Sequence, residues 1–351
     1  MSRPYRIVAT SAGQHWDIET AAARAGGAEI TVVACHTEDD LLAAGREADA
    51  ILAGNEPFTR RVIEGLGRRV RVISRPAVGY DQVDVAAATA RGIVVTHVPD
   101  YCTDEVSDHA FALLLALHRR VPWLDNAIKA GRWGQAAIYG GDRPAAFHAG
   151  EVPGPPVPLR GQTLGIVGFG RIGRRLAEKA RGFGLRLLAT DPYVAPAAGE
   201  PLGVVLTDLD TLLRESDFVS IHCLLNAGTQ GLIGAAQLAL LKPTAQLINT
   251  ARGPIVDLLA LAEALQAGQL AAAALDVTEP EPLPIDHPLM TLPNVLLTPH
   301  SAYYSDRSRA EVRRRGVENA LAVLRGETPN HAANPDVLAR AGAAAVAAGD
   351  Q

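Results

Sequence analysis

Leu164-Gly165-Ile166-Val167-Gly168-Phe169-Gly170-Arg171-Ile172-Gly173 decides the fold. An apolar run of strand length meets three glycines at fixed offsets, and a helical run, Arg174–Ala180, follows. Gly168 suits a tight turn, Gly170 lets a bound group approach the backbone, and Gly173 lets the helix pack closely on the strand. A helix starting there presents unpaired N–H groups and a partial positive charge, a seat for a pyrophosphate. Asp191 stands 18 residues after Gly173, just past the next strand-like run, Arg186–Thr190. A carboxylate there can accept hydrogen bonds from both hydroxyls of an adenosine ribose and repels a 2′-phosphate, so the spacing points to NAD rather than NADP. By itself the glycine spacing is also compatible with a plain strand–turn–helix and a solvated Asp191.

Outward from this turn, short β-rich runs alternate with Ala/Leu-rich helical runs. Downstream they are Leu164–Val167, Arg186–Thr190, Phe218–His222, Gln246–Asn249, Ala273–Val277 and Val295–Thr298, six strands that fit one doubly wound nucleotide domain. Upstream they are Tyr5–Ala9, Ile30–Ala34, Ala50–Ala53, Val70–Ser74 and Ile93–Val95. The fold class expected is α/β with two doubly wound parallel-sheet domains. A helix is expected over Asp104–Val121, capped by Thr103 or Asp104, with Val106, Ala110, Leu113, Leu114 and Leu117 on one face, and another over Ser305–Arg325. Gly134–Pro158 is rich in glycine and proline and reads as a long surface loop. The domains expected are 1–100, completed by 302–335, and 101–301, with 336–351 as a disordered tail.

Composition excludes several classes. The 351 residues are 48% hydrophobic and 20% charged, which is neither a disordered chain nor a small disulfide-stapled one. The net charge is −5 and no long basic run exists, so nucleic acid is not an expected partner. Three cysteines, Cys35, Cys102 and Cys223, without a C-x-x-C fit a reducing cytosol, and the location expected is cytoplasmic. The longest apolar run, near Phe111–Leu117, falls short of the ~20 residues a membrane helix needs, so no membrane partner is expected. The histidines form no H-E-x-x-H or Cys/His cluster, so no metal is expected.

Three further residues stand at predicted strand ends: Arg252 in Asn249-Thr250-Ala251-Arg252-Gly253, Glu281 in Asp276-Val277-Thr278-Glu279-Pro280-Glu281-Pro282, and His300 in Thr298-Pro299-His300-Ser301. In a doubly wound sheet such ends face the cofactor crevice. With the glycine turn, Asp191 and Asp257, these motifs make residues 5–330 resemble the D-isomer-specific 2-hydroxyacid dehydrogenases. Within them the chain looks most like the C-terminal binding protein branch, through His222-Cys223-x-Leu225-Asn226 and His300-Ser301-Ala302-Tyr303-Tyr304-Ser305. That branch usually has tryptophan where this chain has Tyr303.

The resemblance implies a Rossmann NAD-binding domain, a flavodoxin-like substrate domain and an NAD-dependent 2-keto acid reductase. The residue types suit that chemistry. His300 as imidazolium can protonate a carbonyl oxygen. Glu281 can fix the ring tautomer and favour its charged form. Arg252 can clamp the substrate carboxylate and carbonyl through its planar fork. Cofactor contacts implied are Gly168, Gly170, Arg171, Ile172, Gly173, Asp191, His222, Cys223, Asn226, Thr229, Thr250, Ala251, Arg252, Asp276, His300, Ala302 and Thr103, with Asp276 on the nicotinamide carboxamide. Substrate contacts implied are Arg75, the N–H groups of Val78 and Gly79, Tyr101 and Tyr303. The alternative for Arg75–Asp81 is an ordinary turn with Gly79 at positive φ and Asp81 as a helix cap. A homodimer is expected through the 104–121 helix, whose apolar surface exceeds the apparent need of one domain. The competing functions are an NAD(H)-sensing interaction protein and a phosphite-type dehydrogenase on the same fold.

Overall fold

The structure, a computed structural model, describes residues 3–11, 15–131 and 157–339. Two compact units result: Met1–Cys102 with Ser305–Gln351, and Thr103–Tyr304. Numbered along the chain, the strands of the first unit are β1 (Tyr5–Ala9), β2 (Ala28–Val32), β3 (Ala50–Leu52), β4 (Val72–Ser74) and β5 (Val94–Thr96). Its first four helices are α1 (Asp17–Ala25), α2 (Glu38–Gly45), α3 (Arg60–Gly65) and α4 (Val85–Ala90). The second unit holds α5 (Thr103–Arg119), α6 (Val121–Lys129), β6 (Thr163–Val167), α7 (Arg171–Arg181), β7 (Arg186–Thr190), β8 (Val204–Leu206) and α8 (Leu209–Glu215). It continues with β9 (Phe218–Ile221), α9 (Ala235–Leu238), β10 (Gln246–Asn249), α10 (Leu258–Gln266), β11 (Ala272–Leu275) and β12 (Val295–Leu297). α11 (Asp306–Arg325) returns to the first unit.

Both sheets are wholly parallel. The first unit runs β2-β1-β3-β4-β5, the flavodoxin-like order. The second runs β12-β11-β10-β9-β6-β7-β8, so the order reverses between β6 and β9. Side chains alternate between the two faces with period two. Leu164 and Ile166 enter one core and Val167 the other, and β9 to β11 divide likewise. In the first unit Ile7 and Ala9 join one face and Val8 the other. α11 covers the face of Ile7, Leu52, Val72 and Val94 with Val317, Ala320, Leu321 and Leu324. Tyr5 Oη donates to the Leu324 carbonyl (3.0 Å) and Ser74 Oγ to that of Gly316 (2.7 Å).

Several expectations are corrected. The helix expected over Asp104–Val121 is α5, Thr103–Arg119, which the left-handed backbone of Arg120 (φ 58°) ends two residues earlier, before a second helix, α6, begins at Val121. The large apolar side chains of α5 are consumed inside the second unit, packed on Leu164, Ile166 and Phe169. A seventh strand, β8, extends the second sheet at its edge. Gly79 is not at positive φ, and the cap of α4 is Asp84, not Asp81. Val337 packs in the first unit's core although the sequence reading starts the tail at 336. Residues 340–351 of that tail, and nearly all of Gly134–Pro158, lie outside the described residues. Among the described residues no helix is long and apolar enough to cross a membrane.

Candidate active site

The glycine turn lies at the switch point. Gly168 sits at φ +96°, and a Cβ there would lie 2.4 Å from the Cys223 nitrogen, so the loops after β6 and β9 touch only because the side chain is absent. A Cβ on Gly173 would lie 2.2 Å from the Gly168 carbonyl oxygen, whereas one on Gly170 would meet nothing within 4 Å. Gly170 heads α7 without a side-chain cap, which leaves the first-turn N–H groups of an 11-residue helix to a ligand. An open cradle beside tightly packed glycines fits a dinucleotide pyrophosphate. Asp191 ends β7, accepting from Phe169 N–H and Tyr193 N–H (2.9 Å each). These bonds orient the carboxylate, whose remaining lone pairs can accept from a ribose.

The neighbouring loops hold unmatched polar atoms. His222 Nε2 lies 2.8 Å from Ser220 Oγ, while its buried Nδ1 has no hydrogen-bond partner among the described residues. Burial pushes its pKa down to about 3, so the ring is neutral. Thr250 Oγ1, on the adjacent loop, is also buried and unmatched. Both fit a polar ligand across the strand ends. Cys223 is pushed up to about 11, by burial first and the Asp191 charge after it, and stays a thiol. Asn226 and Thr229 bond within their own loop (Asn226 N–H to Thr229 Oγ1, 2.8 Å). Thr103 begins α5, where its carbonyl accepts from Ser107 Oγ (2.7 Å).

Arg252, Glu281 and His300 come together. Asn249 shapes the Arg252 turn, accepting from Ala251 N–H (3.0 Å) and donating to the Arg252 carbonyl (2.9 Å). Gly253 lets that turn abut the next loop, since a Cβ would lie 2.0 Å from the Thr278 carbonyl oxygen. On that loop Glu281 Oε1 accepts from Thr278 N–H (3.1 Å) and Oε2 meets His300 Nδ1 at 2.8 Å. Burial works to raise the Glu281 carboxyl, but the His300 bond, the His300 charge, Thr278 N–H and the Arg252 charge together hold it below the ordinary range. His300 Nε2 faces away from this pair on a ring 43% exposed. Tyr303 stands edge-on to it, with centroids 6.3 Å apart.

Asp276 is placed differently from the expectation. Its fully enclosed carboxylate accepts from Thr298 Oγ1 (2.6 Å), Ser301 N–H and Ala302 N–H (2.9 Å each). It builds the His300 loop, and a carboxamide contact rests on the resemblance alone. His109 of α5, which sequence reasoning missed, lies 3.1 Å from Thr298 Oγ1. No local spacing could reveal it.

In the first unit Arg75 is buried, donating to the carbonyls of Ala53 (3.0 Å) and Gly54 (2.6 Å) and to Asn55 Oδ1 (2.6 Å). Its fork pins the loop after β3. Glu56 is drawn back onto Thr10 Oγ1 (2.9 Å). The Val78 carbonyl lies 2.9 Å from His97 Nδ1, which fixes the turn carrying the Val78 and Gly79 N–H groups. Tyr101, partly exposed, lies next to the last residue of the unit's N-terminal segment.

The family described as D-isomer specific 2-hydroxyacid dehydrogenase, NAD binding domain, matches residues 111–302. A glyoxylate reductase of Korarchaeum cryptofilum is 42% identical over 294 residues, covering 84% of this chain and 85% of that protein. A D-3-phosphoglycerate dehydrogenase of Methanocaldococcus jannaschii is 36% identical over 308 residues, 87% of this chain but 55% of that longer protein. The crystal structure of a glyoxylate reductase from Paecilomyes thermophila superposes with a TM-score of 0.82 at 26% identity, covering 95% of this chain and all of that one. These relatives do not single out the C-terminal binding protein branch, and they favour neither a sensor nor a phosphite enzyme. With the glycine turn at the switch point and the histidine–glutamate pair beside Arg252, the chain belongs to the D-isomer specific 2-hydroxyacid dehydrogenase family.

Proposed function

We propose that this NAD-dependent oxidoreductase of 2-hydroxy acids works as a reductase of a small 2-keto acid, glyoxylate being the first candidate. The observation that carries the reading is the 2.8 Å contact between His300 and Glu281 within the field of Arg252. When bound at the glycine turn, NADH supplies the hydride for the carbonyl carbon. His300 donates the proton from Nε2 to the carbonyl oxygen, and Glu281 holds the proton on Nδ1 and stabilises the imidazolium before transfer. Arg252 clamps the carboxylate and stabilises the charge that builds on the oxygen. The Val78 and Gly79 N–H groups assist in holding the carboxylate, Arg75 shapes the loop beside them, and Tyr101 and Tyr303 contact the substrate. Likeness to the C-terminal binding protein branch rests on the His222–Asn226 and His300–Ser305 motifs and assigns no substrate.

The test is NADH consumption with glyoxylate, hydroxypyruvate and pyruvate, run in parallel with NADPH. Reduction is expected with NADH in preference to NADPH, and Asp191→Ala should narrow the preference by weakening NADH. No turnover of any 2-keto acid would overturn the reading. Equal use of NADPH by the wild type would remove the role given to Asp191.

A further inference from the structure

Asp276 follows β11 and is 2% exposed. Its Oδ1 accepts from Thr298 Oγ1 at 2.6 Å and Ser301 N–H at 2.9 Å, and its Oδ2 from Ala302 N–H at 2.9 Å. Its main-chain carbonyl accepts from the His300 N–H at 2.7 Å. One residue thus gathers the 298–302 loop, and His300 at its centre takes a left-handed backbone, φ +52°, which a residue with a β-carbon adopts only when its surroundings impose it. The orientation of the His300 ring toward Glu281 depends on this imposed backbone.

His109 reaches the same knot from α5. Its Nε2 lies 3.1 Å from Thr298 Oγ1 and 3.5 Å from Asp276 Oδ1. A threonine hydroxyl has one hydrogen, and the 2.6 Å contact commits it to the carboxylate. His109 Nε2 must therefore be the donor, with the hydroxyl oxygen as its acceptor. The bond fixes the hydroxyl from the far side and brings a donor toward a carboxylate shut off from water, where an unmatched acceptor is costly. α5 is itself locked in place by Ala110, Phe111, Leu113 and Leu114 packed on the sheet. His109 thus ties a loop of the site to a helix packed on the sheet.

We propose that His109 is a positioning residue for His300, acting through the Asp276–Thr298 pair that shapes the 298–302 loop. The catalytic half of the inference rests on the reading of His300 as proton donor. The structural half does not, and the test separates them.

Amide hydrogen exchange is measured on the full-length protein without cofactor. The Ser301 and Ala302 amides should be protected in the wild type. His109→Leu should speed their exchange by about tenfold, the worth of one lost hydrogen bond. His109→Gln, which keeps a donor at the Nε2 position, should restore protection. Thr298→Val should match His109→Leu, and the double variant should be no worse than either. In turnover, His109→Leu should lower kcat by about tenfold while the KM for keto acid and the Kd for NADH stay within about twofold, and His109→Gln should recover kcat. A helix that merely packs poorly would lower thermal stability without this split and without rescue by glutamine. Unchanged exchange in His109→Leu overturns the proposal, as does a fall in kcat with protection intact. Should His109→Leu fail to fold, Thr298→Val decides: normal protection there overturns the inference. A wild type that reduces no 2-keto acid refutes the proposed function and leaves exchange to judge the loop.

Discussion

Glu281 meets the ring of His300 and Asp276 meets its backbone, so two carboxylates act on one histidine by different routes. His300→Ala should leave NADH binding nearly intact, because the dinucleotide rests on the glycine turn and Asp191. It should lower keto acid turnover by ~10²–10⁴-fold, the usual worth of a positioned acid. Titration of NADH fluorescence and steady-state kinetics check both, and a wild-type rate in this variant would sink the mechanism. Glu281→Gln tests the sign of the pairing. The glutamate is held below the ordinary carboxylate range, so it is charged across neutral pH and favours the charged ring. Glutamine keeps a hydrogen bond but not the charge. Reduction needs the ring proton, so activity should survive at low pH and fail earlier on the alkaline side. A profile of kcat/KM against pH whose alkaline limb stays put, or moves up, contradicts this.

At the scale of elements, the join of β6 to α7 turns on Gly173. A methyl group there meets the Gly168 carbonyl oxygen at 2.2 Å and Ile166 Cγ2 at 3.0 Å, and backbone cannot step aside cheaply. Gly173→Ala should lower stability by about 1–3 kcal/mol, as overpacking does, and weaken NADH binding as α7 is pushed off the strand. Urea unfolding and NADH titration read the two effects, and a variant matching the wild type in both would show that the join has slack. The same glycines made the second sheet legible in the sequence, because their offsets combine with buried apolar runs of strand length. β8 escaped because its apolar run, Val204-Val205-Leu206, is only three residues long and lies at the sheet edge with Val205 exposed. The break between α5 and α6 escaped because an arginine does not announce a left-handed turn. Arg252, Glu281 and His300 were legible by residue type at strand ends. His109 was not, since the threonine it meets lies 189 residues away in sequence and only the folded sheet brings them together. The burial of the Asp276 carboxylate and the inward commitment of Arg75 were hidden for the same reason.

For the molecule as a whole, the spare apolar surface that the sequence suggested on α5 is largely spent within its own unit. Among the described residues, Val121 and Phe183, the latter edge-on to Phe111 at 4.8 Å, stay exposed nearby. We propose a homodimer that covers these side chains, as family membership leads one to expect. Sedimentation with NAD present should give a dimer at micromolar concentration, and Phe183→Glu should weaken it. A wild-type monomer under those conditions removes the proposal. The division of the chain also bears on how it is made. The sheet of the first unit is synthesised early, but α11, which roofs the face of Ile7, Leu52, Val72 and Val94, is encoded after the entire second unit. At about 5–20 residues per second, the roughly 200 intervening residues delay that roof by about 10–40 s. The half of the enzyme born first is therefore finished last, and a chain stalled at Tyr304 would leave the face of Ile7, Leu52, Val72 and Val94 without its long covering helix.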